Sequence, residues 1–116
     1  MKSNLIYVAG PMRKGIMSDN VRTGTEVCDN LLDMGYLVIN PFLSHFHDMI
    51  FPHDFKWWIE KDLRYIKQCR VLLRLSGESE GADMEVAFAI QNKIPVVYAI
   101  EELEADFPVI LDVEGE

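Results

Sequence analysis

The sequence is poor in the residue types that mark several protein classes. Its two cysteines, Cys28 and Cys69, show neither the number nor the spacing of a disulfide framework or a metal site. Its three histidines share one segment without a recognisable ligand pattern. No apolar run approaches the roughly 20 residues that a membrane-spanning helix needs, and the first residues lack a signal-peptide core. We therefore expect a cytoplasmic protein without a metal or a cofactor.

Basic residues are also scarce. The 116 residues include 11 Lys and Arg against 19 Asp and Glu, which gives a formal net charge of -8. The excess is local, because the last 16 residues carry seven acids and no base. A nucleic acid polymer requires a basic surface that neutralises several phosphates, so this class of partner is excluded. A small anion held by one or two cations and a helix end stays possible.

The sequence does contain a regular alternation of strand-like and helix-like segments. The periodicity of the apolar residues and the positions of turn residues predict strands at 5–9, 36–39, 70–75 and 94–99. They predict helices from Ser18 or Asp19 to Gly35, from 55 to about 68 and from 82 to about 91. Residues 41–53, which contain all three histidines, are interpreted as a loop. The last stretch predicts a short helix at 101–106 and a weak strand at 108–111.

This alternation predicts one α/β domain over residues 1–116, ending in an acidic segment at 101–116. The expected architecture is a flavodoxin-like or Rossmann-like three-layer sandwich around a four- to five-stranded parallel sheet. Residues 5–9 are apolar on both faces, so their strand is expected to be central. Ligands of such sheets bind at the carboxyl ends of the strands. Functional residues are therefore expected in the segments that follow the strands.

Two acidic residues stand out in the predicted helices. Asp62 falls on the apolar arc of its helix, where burial favours the protonated form of a carboxyl group. Glu85 lies in the predicted first turn of an almost entirely apolar helix, which we expect to be buried on most sides and to keep Glu85 ionised. Each has an ordinary explanation, as a hydrogen-bonded structural acid or as a favourable charge at a helix start. The functional interpretation is a proton donor and a carboxylate that projects into a cleft.

Other candidates surround these acids. Ser79 and Gly81 precede the predicted helix, where a hydroxyl and free N–H groups form either a phosphate seat or an ordinary turn. Arg13 follows the first strand and is either an anion contact or a solvated charge. Tyr7 is more simply a core aromatic. Trp57 falls on the polar side of its helix and is a candidate for stacking on a ligand or partner.

Three segments together resemble the nucleoside 2-deoxyribosyltransferase superfamily. They are Ile6–Pro11 in the first strand, Asp62–Cys69 and Ser79–Glu85. Their order and spacing are most similar to the small deoxynucleoside 5'-monophosphate N-glycosidases and to short phage-type members. The resemblance covers about residues 5–99.

The resemblance implies a role for each matched residue. Glu85 is the nucleophile that attacks the anomeric carbon of the sugar, Tyr7 orients its carboxylate, and Asp62 protonates the departing base. Ser79 binds the 5'-phosphate near the helix start at Gly81, and Gly10 and Arg13 contact the substrate from the first loop.

The implied activity is hydrolysis of a (deoxy)nucleoside 5'-monophosphate to free base and sugar phosphate, without metal or cofactor. Two alternatives stay open: a deoxyribosyltransferase that exchanges bases, and a nucleotide-binding module without turnover. The resemblance also implies a homodimer or higher homo-oligomer. Asp112 and Glu114 are candidates for reaching a neighbouring subunit's site.

Overall fold

The computed structural model describes residues 3–111, so Asp112 and Glu114 lie outside the described residues. Strands and helices alternate through this part of the chain. In order they are β1 (Leu5–Ala9), α1 (Met17–Met34), β2 (Leu37–Ile39), a 3-10 turn (Pro41–Leu43), α2 (Ser44–Ile50), α3 (Phe55–Ile66), β3 (Val71–Arg74), α4 (Glu80–Gln91), β4 (Val96–Val97) and α5 (Ile100–Asp106).

The strands form one parallel sheet in the order β2-β1-β3-β4. The predicted α/β class, parallel sheet and central first strand are therefore confirmed. Side chains alternate across β1, with Ile6 and Val8 in the core on the α1 and α5 face and Tyr7 and Ala9 in the core on the α3 and α4 face. Helices thus cover both faces of the sheet, which gives the predicted three layers.

Gly24 allows α1 to approach the segment after β2. A Cβ atom at this position would lie 2.4 Å from the ring of Phe42, a distance that van der Waals contact forbids. Phe42 is itself buried. The glycine inside α1 therefore costs some helix propensity but permits close packing against the Pro41–Leu43 turn.

Several predicted boundaries are wrong for identifiable reasons. α1 begins at Met17 after Ile16, which offers no side-chain cap, so Ser18 and Asp19 lie inside the helix. The predicted loop at 41–53 contains the 3-10 turn and α2, and the turn is capped by the Asn40 side chain, which accepts the Phe42 N–H. The helix at 101–106 is confirmed, with one more residue at its start.

The predicted strand at 108–111 does not form. Its backbone pairs instead with the side chain of Asn4, which donates to the Ile110 carbonyl at 2.8 Å and accepts the Ile110 N–H at 2.7 Å. The strand predicted at 94–99 is shorter than expected. It forms only as β4, two residues at the edge of the sheet directly after Pro95.

Helix α4 is less buried than its composition predicts. Ala82, Glu85 and Ala89 are buried, whereas Met84 and Ile90 are exposed to 43% and 63%. The reason is that α4 lies in an outer layer of the sandwich, so only one face of it meets the sheet and α3. None of the helices within residues 3–111 is both long and apolar enough to cross a membrane.

Candidate active site

A cavity of about 610 Å³ opens at the carboxyl ends of β1 and β3. Its walls are the loop after β1, the Pro41–Leu43 turn with α2, the inner face of α3 and the start of α4. Six of the seven predicted site residues line it: Gly10, Arg13, Asp62, Ser79, Gly81 and Glu85. Topology therefore brings together residues that are up to 75 positions apart in the sequence.

Tyr7, the remaining predicted site residue, does not line the cavity but contacts Glu85, which does. Its side chain is fully buried, and its hydroxyl donates a hydrogen bond of 2.8 Å to Glu85 Oε2. Glu85 is also buried, with 6% of its surface exposed. Because β1 directs Tyr7 towards α4, a strand residue and a helix residue 78 positions apart meet below the cavity floor.

The surroundings of Glu85 oppose the ionisation expected for it. Burial raises the pKa of Glu85 well above its ordinary value of 4.5, and the negative charge of Asp62 raises it further. Since Ser79 caps α4 and the helix begins at Glu80, Glu85 lies in the second turn, beyond the N–H groups that were expected to keep it charged. The hydrogen bond from Tyr7 acts in the opposite direction and lowers the pKa of Glu85.

Asp62 is buried on the inner face of α3, as its place on the apolar arc predicts. Asp62 lies near Glu85, and its charge and side chain raise the pKa of Glu85. Lys61 Nζ lies 3.1 Å from Asp62 Oδ1, and its positive charge lowers the pKa of Glu85. Tyr7 and Lys61 thus both favour negative charge on Glu85, whereas burial and Asp62 oppose it.

The two acids also affect the tyrosine. The pKa of the Tyr7 hydroxyl is raised well above its ordinary value, first by burial and then by the charges of Glu85 and Asp62. The hydroxyl therefore keeps its proton at neutral pH and acts as a hydrogen-bond donor to Glu85.

The start of α4 and the loop after β1 present hydrogen-bond donors and positive charge to the cavity. Ser79 Oγ accepts the Ala82 N–H at 3.0 Å, which leaves the hydroxyl proton for a ligand. Arg13 and Lys14 are exposed on the facing loop. Gly10 is tightly packed, since a Cβ atom there would lie 3.0 Å from Leu75 Cβ.

Sequence reasoning missed Asp48 on the α2 wall. Its Oδ1 atom accepts the indole N–H of Trp58 at 2.7 Å and the backbone N–H of His53 at 2.8 Å. These hydrogen bonds, with that of His53 first, lower the pKa of Asp48. Asp48 and His45 are three residues apart and both line the cavity, a helical spacing hidden by the interpretation of this segment as a loop.

The two neighbouring tryptophans have different roles. Trp58 is buried, and it also lines the cavity. Trp57 stacks on His53, with ring centroids 3.6 Å apart and planes within 8°. Trp57 was expected to stack on a ligand or a partner, and in the structure it stacks on a side chain of the same protein.

In the part of the chain that the structure describes, the cysteines and histidines form neither a metal site nor a reactive thiolate. Within residues 3–111 no group of three or more His, Cys, Asp and Glu side chains has the geometry of a metal site. Cys28 and Cys69 are free and buried, and burial raises the pKa of each thiol to about 12. Both therefore remain thiols rather than reactive thiolates at neutral pH.

A comparison with curated proteins gave no match. Residues 4–98 match the sequence pattern of the family described as domain of unknown function DUF4406. The matched range extends from the residue before β1 to the residue after β4, and so includes the sheet, α1 to α4 and every predicted site residue. The chain therefore belongs to the DUF4406 family.

Proposed function

We propose that this protein hydrolyses the N-glycosidic bond of a (deoxy)nucleoside 5'-monophosphate and releases the free base and the sugar 5-phosphate. The observation that carries the proposal is the buried group of Tyr7, Glu85 and Asp62 beside a cavity that also presents Ser79 and Arg13. The resemblance of the same segments to the nucleoside 2-deoxyribosyltransferase superfamily supports it.

In the first step the Glu85 carboxylate attacks the anomeric carbon. The bond from this carbon to the base nitrogen breaks through an oxocarbenium-like transition state, as in retaining glycosidases. The electron pair of that bond goes to the base, and Asp62 delivers a proton to it. The products of this step are a sugar ester of Glu85 and a neutral base.

In the second step water attacks the anomeric carbon of the ester. The bond to Glu85 breaks and restores its carboxylate, while Asp62 accepts the proton that water loses. Overall one nucleotide and one water give one base and one sugar phosphate. The first step starts with the proton on Asp62 and the charge on Glu85, and the hydrogen bond from Tyr7 favours that charge. The second step starts from the ester and an ionised Asp62, and it restores the starting state.

The start of α4 and the loop after β1 supply the phosphate contacts. The N–H groups at the start of α4, a helix of 12 residues, favour an anion, and the Ser79 hydroxyl and the Arg13 guanidinium add donors. A phosphate in this position holds the sugar beside Glu85. This anchoring favours the hydrolysis of nucleotides over that of nucleosides.

The test is base release from a panel of nucleoside and deoxynucleoside monophosphates, followed by chromatography. We expect Glu85→Gln to lower the rate by about 10³-fold or more, because the nucleophile is lost while the shape is kept. Glu60→Gln, the same change at an exposed acid of α3, serves as the matched control and keeps full activity.

Absence of base release by the wild-type chain, or full activity of Glu85→Gln, contradicts the proposal. Addition of a second base separates hydrolysis from transfer, since a transferase forms a new nucleotide. Tight nucleotide binding without any product indicates a binding module instead.

We further propose that the chain works in the cytoplasm as a homodimer or higher homo-oligomer. Support comes from α2 and its flanks, where five large apolar side chains are exposed: Leu43, Phe46, Met49, Ile50 and Phe51. A group of this size usually marks a contact surface. Sedimentation at micromolar concentration is expected to give at least a dimer, and Phe46→Ser with Ile50→Ser is expected to shift it towards a monomer. A monomeric wild-type chain contradicts this expectation.

A further inference from the structure

The α2 wall of the cavity carries a carboxylate oxygen for which the fold provides no partner. Both hydrogen bonds that Asp48 accepts, from Trp58 Nε1 and from the His53 backbone, end on Oδ1. Within residues 3–111 no hydrogen bond or ion pair engages Oδ2. Since Asp48 lines the cavity, its second oxygen is available to a ligand.

Asp62 and Trp58, the indole that holds Asp48, both lie on α3 and both line the cavity. Trp58 and Asp62 are four residues apart on α3, which places them about 6 Å apart along the helix axis. A base whose glycosidic nitrogen lies at Asp62 therefore directs its opposite edge towards Trp58 and the carboxylate bound to it. Phe55 and Ile59 line the same wall and offer apolar contact to the base.

We propose that Asp48 Oδ2 accepts a hydrogen bond from the exocyclic amino group of the base, so that the substrate carries adenine or cytosine. This inference rests on the proposed function and names its substrate class. Adenine and cytosine present an amino donor at this edge, whereas hypoxanthine, uracil and thymine present a carbonyl oxygen. An ionised carboxylate can only accept, and it repels a carbonyl oxygen in the same position.

Three features keep Asp48 ionised and fixed in place. The His53 and Trp58 N–H groups stabilise its negative charge, and the positive charge of Arg13 favours it as well. The carboxylate is also attached at both sides, through His53 to the segment before α3 and through Trp58 to α3 itself. His45 is the remaining titratable group of the α2 wall, and it lies one turn before Asp48.

The two hydrogen bonds on Oδ1 also determine what an amide would do at this position. In Asp48→Asn the amide oxygen has to remain at Oδ1, because only an oxygen can accept from Trp58 and His53. The amide NH₂ group then replaces Oδ2 and faces the cavity as a donor. This substitution is therefore expected to reverse the preference, from amino-bearing to carbonyl-bearing bases.

The experiment compares kcat/KM for two matched pairs of substrates, dAMP with dIMP and dCMP with dUMP. For the wild-type chain we expect the amino-bearing member of each pair to be favoured by about 10-fold or more, since loss of one hydrogen bond to a charged acceptor costs that much. Asp48→Asn is expected to favour dIMP and dUMP. Asp54→Asn, the same change at the exposed cap of α3, is expected to keep the wild-type preference.

The outcomes separate this inference from the proposed function. Release of no base from any of the four nucleotides overturns both. Release with equal or better use of dIMP and dUMP by the wild-type chain overturns the role of Asp48 and leaves the hydrolase intact. Retention of the amino preference in Asp48→Asn also overturns it. The wild-type comparison does not depend on the folding of any variant.

Discussion

The two faces of the sheet contain tyrosines that are equally buried and differently used. Tyr36 belongs to the core on the α1 and α5 face, and its hydroxyl donates to the Phe107 carbonyl at 2.8 Å. Tyr7 belongs to the core on the α3 and α4 face, and its hydroxyl donates to the Glu85 carboxylate at the same distance. The hydrogen bonds are equal in length, but only the second ends on a group that can gain or lose a proton.

This difference separates a structural polar group from a functional one. The Phe107 carbonyl is a fixed acceptor, so Tyr36 fastens the end of α5 to the segment that enters β2. On the other face Tyr7, Glu85 and Asp62 interact although each acid loses hydration there. Burial of two acids side by side lowers stability, and such arrangements are concentrated at sites of catalysis and binding.

Among the variants that compare the two tyrosines, removal of the Tyr7 hydroxyl is expected to have the largest effect. Tyr7→Phe is expected to lower base release by about 10- to 100-fold, because Glu85 loses the donor that favours its charged form. Tyr36→Phe is the matched control on the opposite face. It is expected to lower the free energy of unfolding by about 1 kcal/mol and to leave base release per folded molecule unchanged.

Urea unfolding and the nucleotide assay on the same samples check this pair of variants. Equal loss of activity in both variants would show that the two tyrosines act alike, through stability alone. Full activity of Tyr7→Phe would remove the hydroxyl from the mechanism while leaving the proposed nucleophile in place.

Local sequence signals were sufficient to predict the central strand β1 and the buried position of Asp62. The apolar run of β1 is bounded by turn residues, and the helical period of α3 shows Asp62 on an apolar arc. Both signals lie within one element, so one sequence is enough to detect them. The alternation of strands and helices then predicts which ends of the elements meet.

The features that were missed depend on contacts between elements. α2 has seven residues, and Asp48 fastens it to α3 through Trp58, a contact that no local period reveals. The exposed side of α4 follows from its outer layer rather than from its composition. The raised pKa of Glu85 depends on its burial and on Asp62, with Tyr7 acting against them, and these surroundings exist only in the folded chain.

The smallest expected effect is a pH dependence of stability confined to the α3 and α4 face. Burial raises the pKa of Glu85 above its ordinary value of 4.5. At a pH between the ordinary and the raised pKa of Glu85, the folded chain binds more protons than the unfolded chain. This group therefore lowers the free energy of unfolding as the pH rises. Glu85→Gln carries no titrating proton and is expected to become more stable relative to the wild-type chain as the pH rises above about 4.5, by about 1 kcal/mol or more.

Two further variants identify the origin of this effect. Asp62→Asn is expected to reproduce part of the gain, because the charge of Asp62 is the second cause of the raised pKa of Glu85 after burial. Glu60→Gln removes an exposed acid of α3 and is expected to leave the pH profile unchanged. Urea unfolding at a series of pH values measures all three. If the free energies of unfolding of Glu85→Gln and the wild-type chain differ by the same amount at every pH, Glu85 ionises as freely as a surface acid. The two faces of the sheet would then differ in the packing of their tyrosines but not in the ionisation of a buried acid.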